Sequence, residues 1–159
     1  MISAKLMQGL NWATPAEWAA ALEGPCRQYE INTSKRVAMF LANTGHETAG
    51  GRRLRESLNY RPEALVKQWP RYFSPEYAAE VGRTDKQPAD QKAIAEAAYG
   101  GRMGNKNPGD GWRFIGRGLM QTTGRYNYER LAEIVNRPVD SLPEWIETRE
   151  GAAESAAIF

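Results

Sequence analysis

Apolar residues recur at three- and four-residue spacing along several stretches of this chain, which is the period of a helix with one buried face. Over residues 34–48, Val37, Ala38, Leu41 and Ala42 keep that spacing, with Ser34 as a capping side chain and Gly50-Gly51 as a stop. The pattern predicts a helix here, largely buried. Residues 15–22 are amphipathic and open on Thr14 as N-cap with Pro15 at the first helical position, where its fixed φ and missing N–H do no harm. Between residues 60 and 100, Pro62, Pro70, Pro75 and Pro88 break the chain into short helical pieces that end in an alanine-rich run over 90–99. This predicts a small helical lobe over residues 61–100. Residues 100–111 are so dense in Gly, Asn and Pro that a loop is expected, long enough to carry function. The glycine-punctuated apolar stretch 112–122 reads as a short strand or an extended segment. Helix resumes near Tyr126 with Leu131, Ile134 and Val135 as its apolar face, and Asn136-Arg-Pro138 closes it. Residues 149–159 read as the opening turns of a last helix. No alternation supports a large sheet, so the expected fold class is mainly α.

A chain of 159 residues with 42% hydrophobic residues has material for one core, so residues 1–159 are expected to form a single domain with the helical lobe inside it. No segment approaches the roughly 18 consecutive apolar residues of a membrane span, and no stable membrane insertion is expected. The first ten residues lack the apolar core of roughly 7–15 residues that an export signal carries, which points to synthesis in the cytoplasm. Cys26 is the single cysteine and His46 the single histidine, so neither an internal disulfide nor a Cys/His metal site is expected, and no cofactor. A net charge of +2 is too small to make nucleic acid the main partner, and no helix-turn-helix or zinc pattern is present. The distribution says more. Arg52, Arg53 and Arg55 cluster, and Arg102, Lys106, Arg113, Arg117, Arg125 and Arg130 outnumber Asp110 and Glu129 around them. Such patches favour an anionic polymer such as a bacterial envelope, with a solvated basic face as the equal alternative.

Glu47 lies in Asn43-Thr-Gly-His-Glu-Thr-Ala-Gly-Gly51, at the end of the best-defined helix. A carboxyl held near apolar surface has its charged form disfavoured and stays protonated long enough to serve as a general acid. From spacing alone, a plain ion pair with Arg52 or Arg53 is as good a reading. Glu56 follows nine positions later, past the glycine pair and so on a different element. Two carboxylates of this kind can flank a glycosidic bond, standing roughly 6.5–9.5 Å apart in inverting enzymes. In Gly116-Arg-Gly-Leu-Met-Gln-Thr-Thr-Gly-Arg-Tyr-Asn-Tyr128, glycines allow close approach of a ligand, Gln121 and Asn127 can bond hydroxyl and N-acetyl groups, and tyrosines offer faces to sugar rings. The Gly-Arg-Gly piece lacks the third glycine and preceding strand of a dinucleotide site. His46 points about 100° away from Glu47 on a helix, and a hydrogen-bonded structural role is expected of it. Of the tryptophans, Trp112 borders the glycine loop and is the one singled out as a sugar platform.

Taken in order, His46-Glu-Thr-Ala-Gly-Gly51, Glu56-Ser-Leu-Asn-Tyr60 and the segment 116–128 resemble glycoside hydrolase family 19, the class I chitinase group, and especially its bacteriophage and prophage endolysin branch. The resemblance runs from about residue 33 to 159. It implies a lysozyme-like α-helical fold and inverting hydrolysis of β-1,4 bonds between amino sugars, with no metal. Glu47 then matches the general acid, Glu56 the general base of the endolysin branch, and Thr123 a residue that holds the attacking water. Gln121, Tyr126, Asn127 and Tyr60 fall on positions that line the sugar cleft, while Arg117 and His46 fall to structural or orienting roles. The implied partner is peptidoglycan or a chitin-like polysaccharide, met by a monomer at the cell wall after release from the cytoplasm. Members of the family continue through further core helices past the point matching Phe159, so the expectation is a truncated prophage copy, a part of a longer chain, or a compact variant. An inactive wall-binding remnant is the alternative from another class.

Overall fold

Side-chain oxygens and prolines set most of the helix starts. In the computed structural model, which describes residues 2–159, Ser3, Thr33, Ser74, Asp90 and Thr148 each accept a hydrogen bond from the backbone N–H three residues on. They begin α1 (Ala4–Gly9), α3 (Ser34–Thr48), α5 (Pro75–Val81), α6 (Gln91–Tyr99) and α10 (Arg149–Ile158). Each such bond satisfies one of the orphan donors of a first turn. Proline stands at the start of α2 (Pro15–Gln28), α4 (Pro62–Gln68) and α5. The remaining helices are α7 (Asp110–Arg113), α8 (Arg125–Val135) and α9 (Leu142–Ile146), the last preceded by a 3-10 turn over Val139–Ser141. No strand is present among the described residues, only isolated bridges Arg55 to Arg117 and Arg117 to Thr122. The mainly α class follows.

Several details differ from the sequence reading. Thr33 caps α3, not Ser34, and Thr14, at φ 37°, caps nothing with its side chain. The helix expected over 15–22 runs on to Gln28 through Pro25. Trp18, Ala19, Leu22 and Cys26 are buried along one side of it, and their burial outweighs the roughly 3 kcal/mol that an interior proline costs. The third helix is less buried than expected, because only Val37, Leu41, Thr44 and Thr48 are covered and Met39 is 59% exposed. Ala38 and Ala42 lie off that stripe in solvent. On α8 the buried positions are Tyr128, Leu131 and Ala132, while Ile134 is exposed. The stretch 112–122 is neither strand nor regular extended chain: it opens in α7 and closes in the bridge between Arg117 and Thr122.

The chain forms two compact units, residues 1–56, 116–122 and 131–159 in the first, and 57–115 with 123–130 in the second. The expected 61–100 lobe falls inside the second. In the first unit, Met7, Trp12, Trp18, Leu22, Leu41, Leu119, and Ala152, Ala153 and Ala156 of α10 form one core. Trp12 and Trp18 meet edge to face at 5.5 Å, an arrangement favoured by the ring quadrupoles. The second unit gathers Leu58, Leu65, Phe73, Ile94 and Ile115, with Trp69 in contact with Tyr60, Phe73 and Tyr99. Tyr128 donates its buried hydroxyl to the Ile115 carbonyl at 2.8 Å.

Candidate active site

The end of α3 explains where Glu47 sits. With about 100° between successive residues, the buried stripe of this helix puts Glu47 about 90° to its side and His46 almost opposite. Both are exposed. Glu47 therefore stands at the margin of the buried face, not within apolar surroundings, and the apolar pocket expected around it is not formed by its own helix. The bond expected to tie His46 down is not seen among the described residues. The buried threonines beneath are satisfied by their own helix: Thr44 donates to the Phe40 carbonyl at 2.7 Å and Thr48 to the Thr44 carbonyl at 2.6 Å.

Three successive left-handed residues, Ala49, Gly50 and Gly51 at φ 51°, 71° and 73°, then turn the chain sharply. A β-carbon on Gly51 would lie 2.5 Å from the Trp18 indole, and one on Gly50 2.7 Å from the Asn11 carbonyl, so the pair serves both the turn and the close approach. Arg52 places its guanidinium on the Asn11 and Ala49 carbonyls at 2.7 and 2.8 Å. It closes the helix end instead of pairing with Glu47.

Glu56 is held by backbone. Its N–H donates to the Gly116 carbonyl at 2.9 Å, and its carboxylate Oε1 accepts the Gly116 N–H at 2.5 Å. Beside it, Arg55 bridges Arg117, whose N–H and carbonyl pair with Thr122. Arg117 is only 5% exposed, and its Nε donates to Glu147 Oε1 at 2.6 Å, while Arg55 lies 3.9 Å from the same oxygen. A buried guanidinium requires such a partner. Glu147 was not foreseen: it lies in a segment with no motif, and only folding brings it to Arg117. Gln121, at φ 52°, turns its amide back to the Gly118 carbonyl at 2.9 Å. Glu47, His46, Glu56, Arg117 and Gln121 thus belong to the first unit.

Thr123, Tyr126, Asn127, Tyr60 and Trp112 belong to the second. Tyr126 is 58% exposed and Asn127 donates its side-chain amide to the Thr123 carbonyl at 2.8 Å. Tyr60 and Trp112 are half-buried and pack on the core of this unit, which makes them less open than a free stacking platform. Glu96 of α6 accepts the Trp112 and Gly109 N–H groups at 2.8 and 3.3 Å. Asp110 is 4% exposed and takes a two-pronged bond from Arg125, at 2.9 Å from Nε and 2.7 Å from Nη2. That guanidinium holds the Asp110 carboxyl below the usual carboxylate range. Among the described residues, no group of three or more His, Cys, Asp or Glu is arranged to hold a metal.

No protein-family model matches the chain. Over 105 residues it is 37% identical to a Haemophilus influenzae protein named "Glycosyl hydrolase family 19 domain-containing protein", an overlap that covers 65% of this chain and 50% of that relative. The chain thus spans about half the length of the curated relative it matches.

Proposed function

We propose that the chain is a member of glycosyl hydrolase family 19, the family named for the relative that it matches over 105 residues, and that it hydrolyses β-1,4 bonds between amino sugars of bacterial peptidoglycan, as a phage-type lysin. In this reading Glu47 protonates the glycosidic oxygen as the bond to the anomeric carbon breaks. Glu56 takes a proton from the water that attacks that carbon from the opposite face, inverting it. The proton lost by Glu47 and that gained by Glu56 balance the step. Thr123 holds the water, and Gln121, Tyr126 and Asn127 contact the sugars.

The observation that carries the reading is the mounting of Glu56. Its carboxylate is fixed at Gly116 by backbone, next to the Arg117–Glu147 pair, in the same unit that presents Glu47 on an open helix end. A base needs this fixed geometry; an acid needs access to the leaving oxygen. Arg117 and Arg125 are committed to Glu147 and Asp110, and the exposed Arg53, Lys106 and Arg130 support an anionic wall as the polymer met. We place the protein's action at the cell wall, after synthesis in the cytoplasm, and as a monomer. Digestion of purified walls tests the reaction class: new reducing ends are expected, and release of peptide amines without reducing sugar would overturn it. Cleavage of chitin oligomers by a protein inert on walls would transfer the same chemistry to a neutral polymer.

A further inference from the structure

The glycine-rich stretch 100–111 is strapped down. Asn105 is 1% exposed; its amide donates to the Tyr99 carbonyl at 3.0 Å, and its oxygen accepts the Arg125 N–H at 2.8 Å. A loop side chain twenty positions upstream therefore caps the first turn of α8. Asp110 grips the Arg125 side chain through both carboxylate oxygens and also accepts the Asn107 N–H at 3.0 Å. The Arg125 guanidinium lies over the Phe114 ring, 4.5 Å from its centre. The backbone closes the strap: the Tyr126 N–H donates to the Met103 carbonyl at 3.0 Å. There is no room for side chains at the seam, since a β-carbon on Gly104 would lie 2.7 Å from the Tyr126 nitrogen and one on Gly124 2.5 Å from the Met103 side chain.

A buried ion pair is a poor means of adding stability, because apolar residues of similar volume do as well or better. What the fork of an arginine adds is orientation, since two parallel bonds fix both its direction and its roll. The residues next in line after Arg125 are Tyr126, with its ring turned to solvent, and Asn127. We propose that Asp110 and Arg125 are positioning residues that aim Tyr126 and Asn127 at the glycan. This inference rests on the glycosidase reading above, and gives a role to Asp110, which no motif marks, and to Arg125, which stands in the 116–128 segment with no role assigned there.

The test is steady-state hydrolysis of a soluble β-1,4-linked N-acetylglucosamine oligomer by wild type, Asp110→Asn and Arg125→Lys. Calorimetric titration of the same oligomer and a thermal melt accompany each. Residues that act on binding geometry alone should raise KM and the dissociation constant about tenfold in Asp110→Asn, with kcat within about twofold. Arg125→Lys keeps the charge and loses the fork, so it should show the same split at smaller size, and it decides the matter should Asp110→Asn fail to fold. Folded variants that bind and turn over like wild type would overturn the proposal, as would a fall in kcat at unchanged KM. A wild type that neither binds nor cuts the oligomer, while clearing cell walls, would also overturn it for this ligand class and leave the glycosidase reading standing. Failure of wild type on both polymers would instead sink that reading.

Discussion

Asp110 shows how a single buried carboxylate sets the acid tolerance of its surroundings. Its partners are the Arg125 guanidinium, itself 3.7 Å from Glu129, and the Asn107 N–H. Because the folded carboxyl titrates below its unfolded value of about 4, folding favours the ionised form. The stabilisation is therefore complete above the unfolded value and is lost as pH falls through the lower folded one. Urea midpoints measured from pH 6 down to pH 2 should drop more steeply for wild type than for Asp110→Asn, with the two curves converging at the acid end. Parallel curves would mean that the Arg125 bond does not form in solution. Nothing in the order of residues announced this pair, since fifteen positions of loop and turn separate its members. The same holds for Glu147 and Arg117: a contact made by the fold has no spacing to read. The motifs that single out Glu47 and Glu56 can be read because they are local, whereas the exposure of Glu47 cannot, because it depends on which side of α3 the core covers.

At the scale of elements, starts and stops were easier to read than extents. Prolines marked the starts of α4 and α5, since a proline acts within one turn, whereas the two hydroxyl caps read from the sequence, Thr14 and Ser34, are not the ones used. The length of α2 was missed because Pro25 reads as a breaker until the burial around it is known. Two other helices, α1 and α9, are six and five residues long, too short to show a period. The stop of α3 is the junction on which the candidate site depends. Gly51→Ala would place a β-carbon against Trp18 at a left-handed residue, combining overpacking and backbone strain of about 1–3 kcal/mol each. A loss of about 2–4 kcal/mol in urea unfolding is expected. A loss under 1 kcal/mol would show that the turn has slack and that Glu56 is not held in register by it.

Taken whole, the molecule joins a helical scaffold with two embedded polar devices. One fixes Glu56 beside Arg117 and Glu147, and the other fixes the first turn of α8 to the glycine-rich stretch. Among the described residues no helix is long and apolar enough to cross a membrane. The family resemblance drawn from three ordered motifs agrees with the name of the relative found over 105 residues, so the resemblance was readable before the structure. The glycan itself was not, because its recognition lies in the shape of the surface and not in a motif.

The most direct test compares wild type with Glu47→Gln in clearing a suspension of outer-membrane-permeabilised Gram-negative cells. The substitution keeps the shape of the side chain and removes its transferable proton. The expectation is rapid clearing by wild type and a rate lower by at least about a hundredfold in the variant. Equal clearing by both would contradict it, and the proton donor would have to be sought elsewhere.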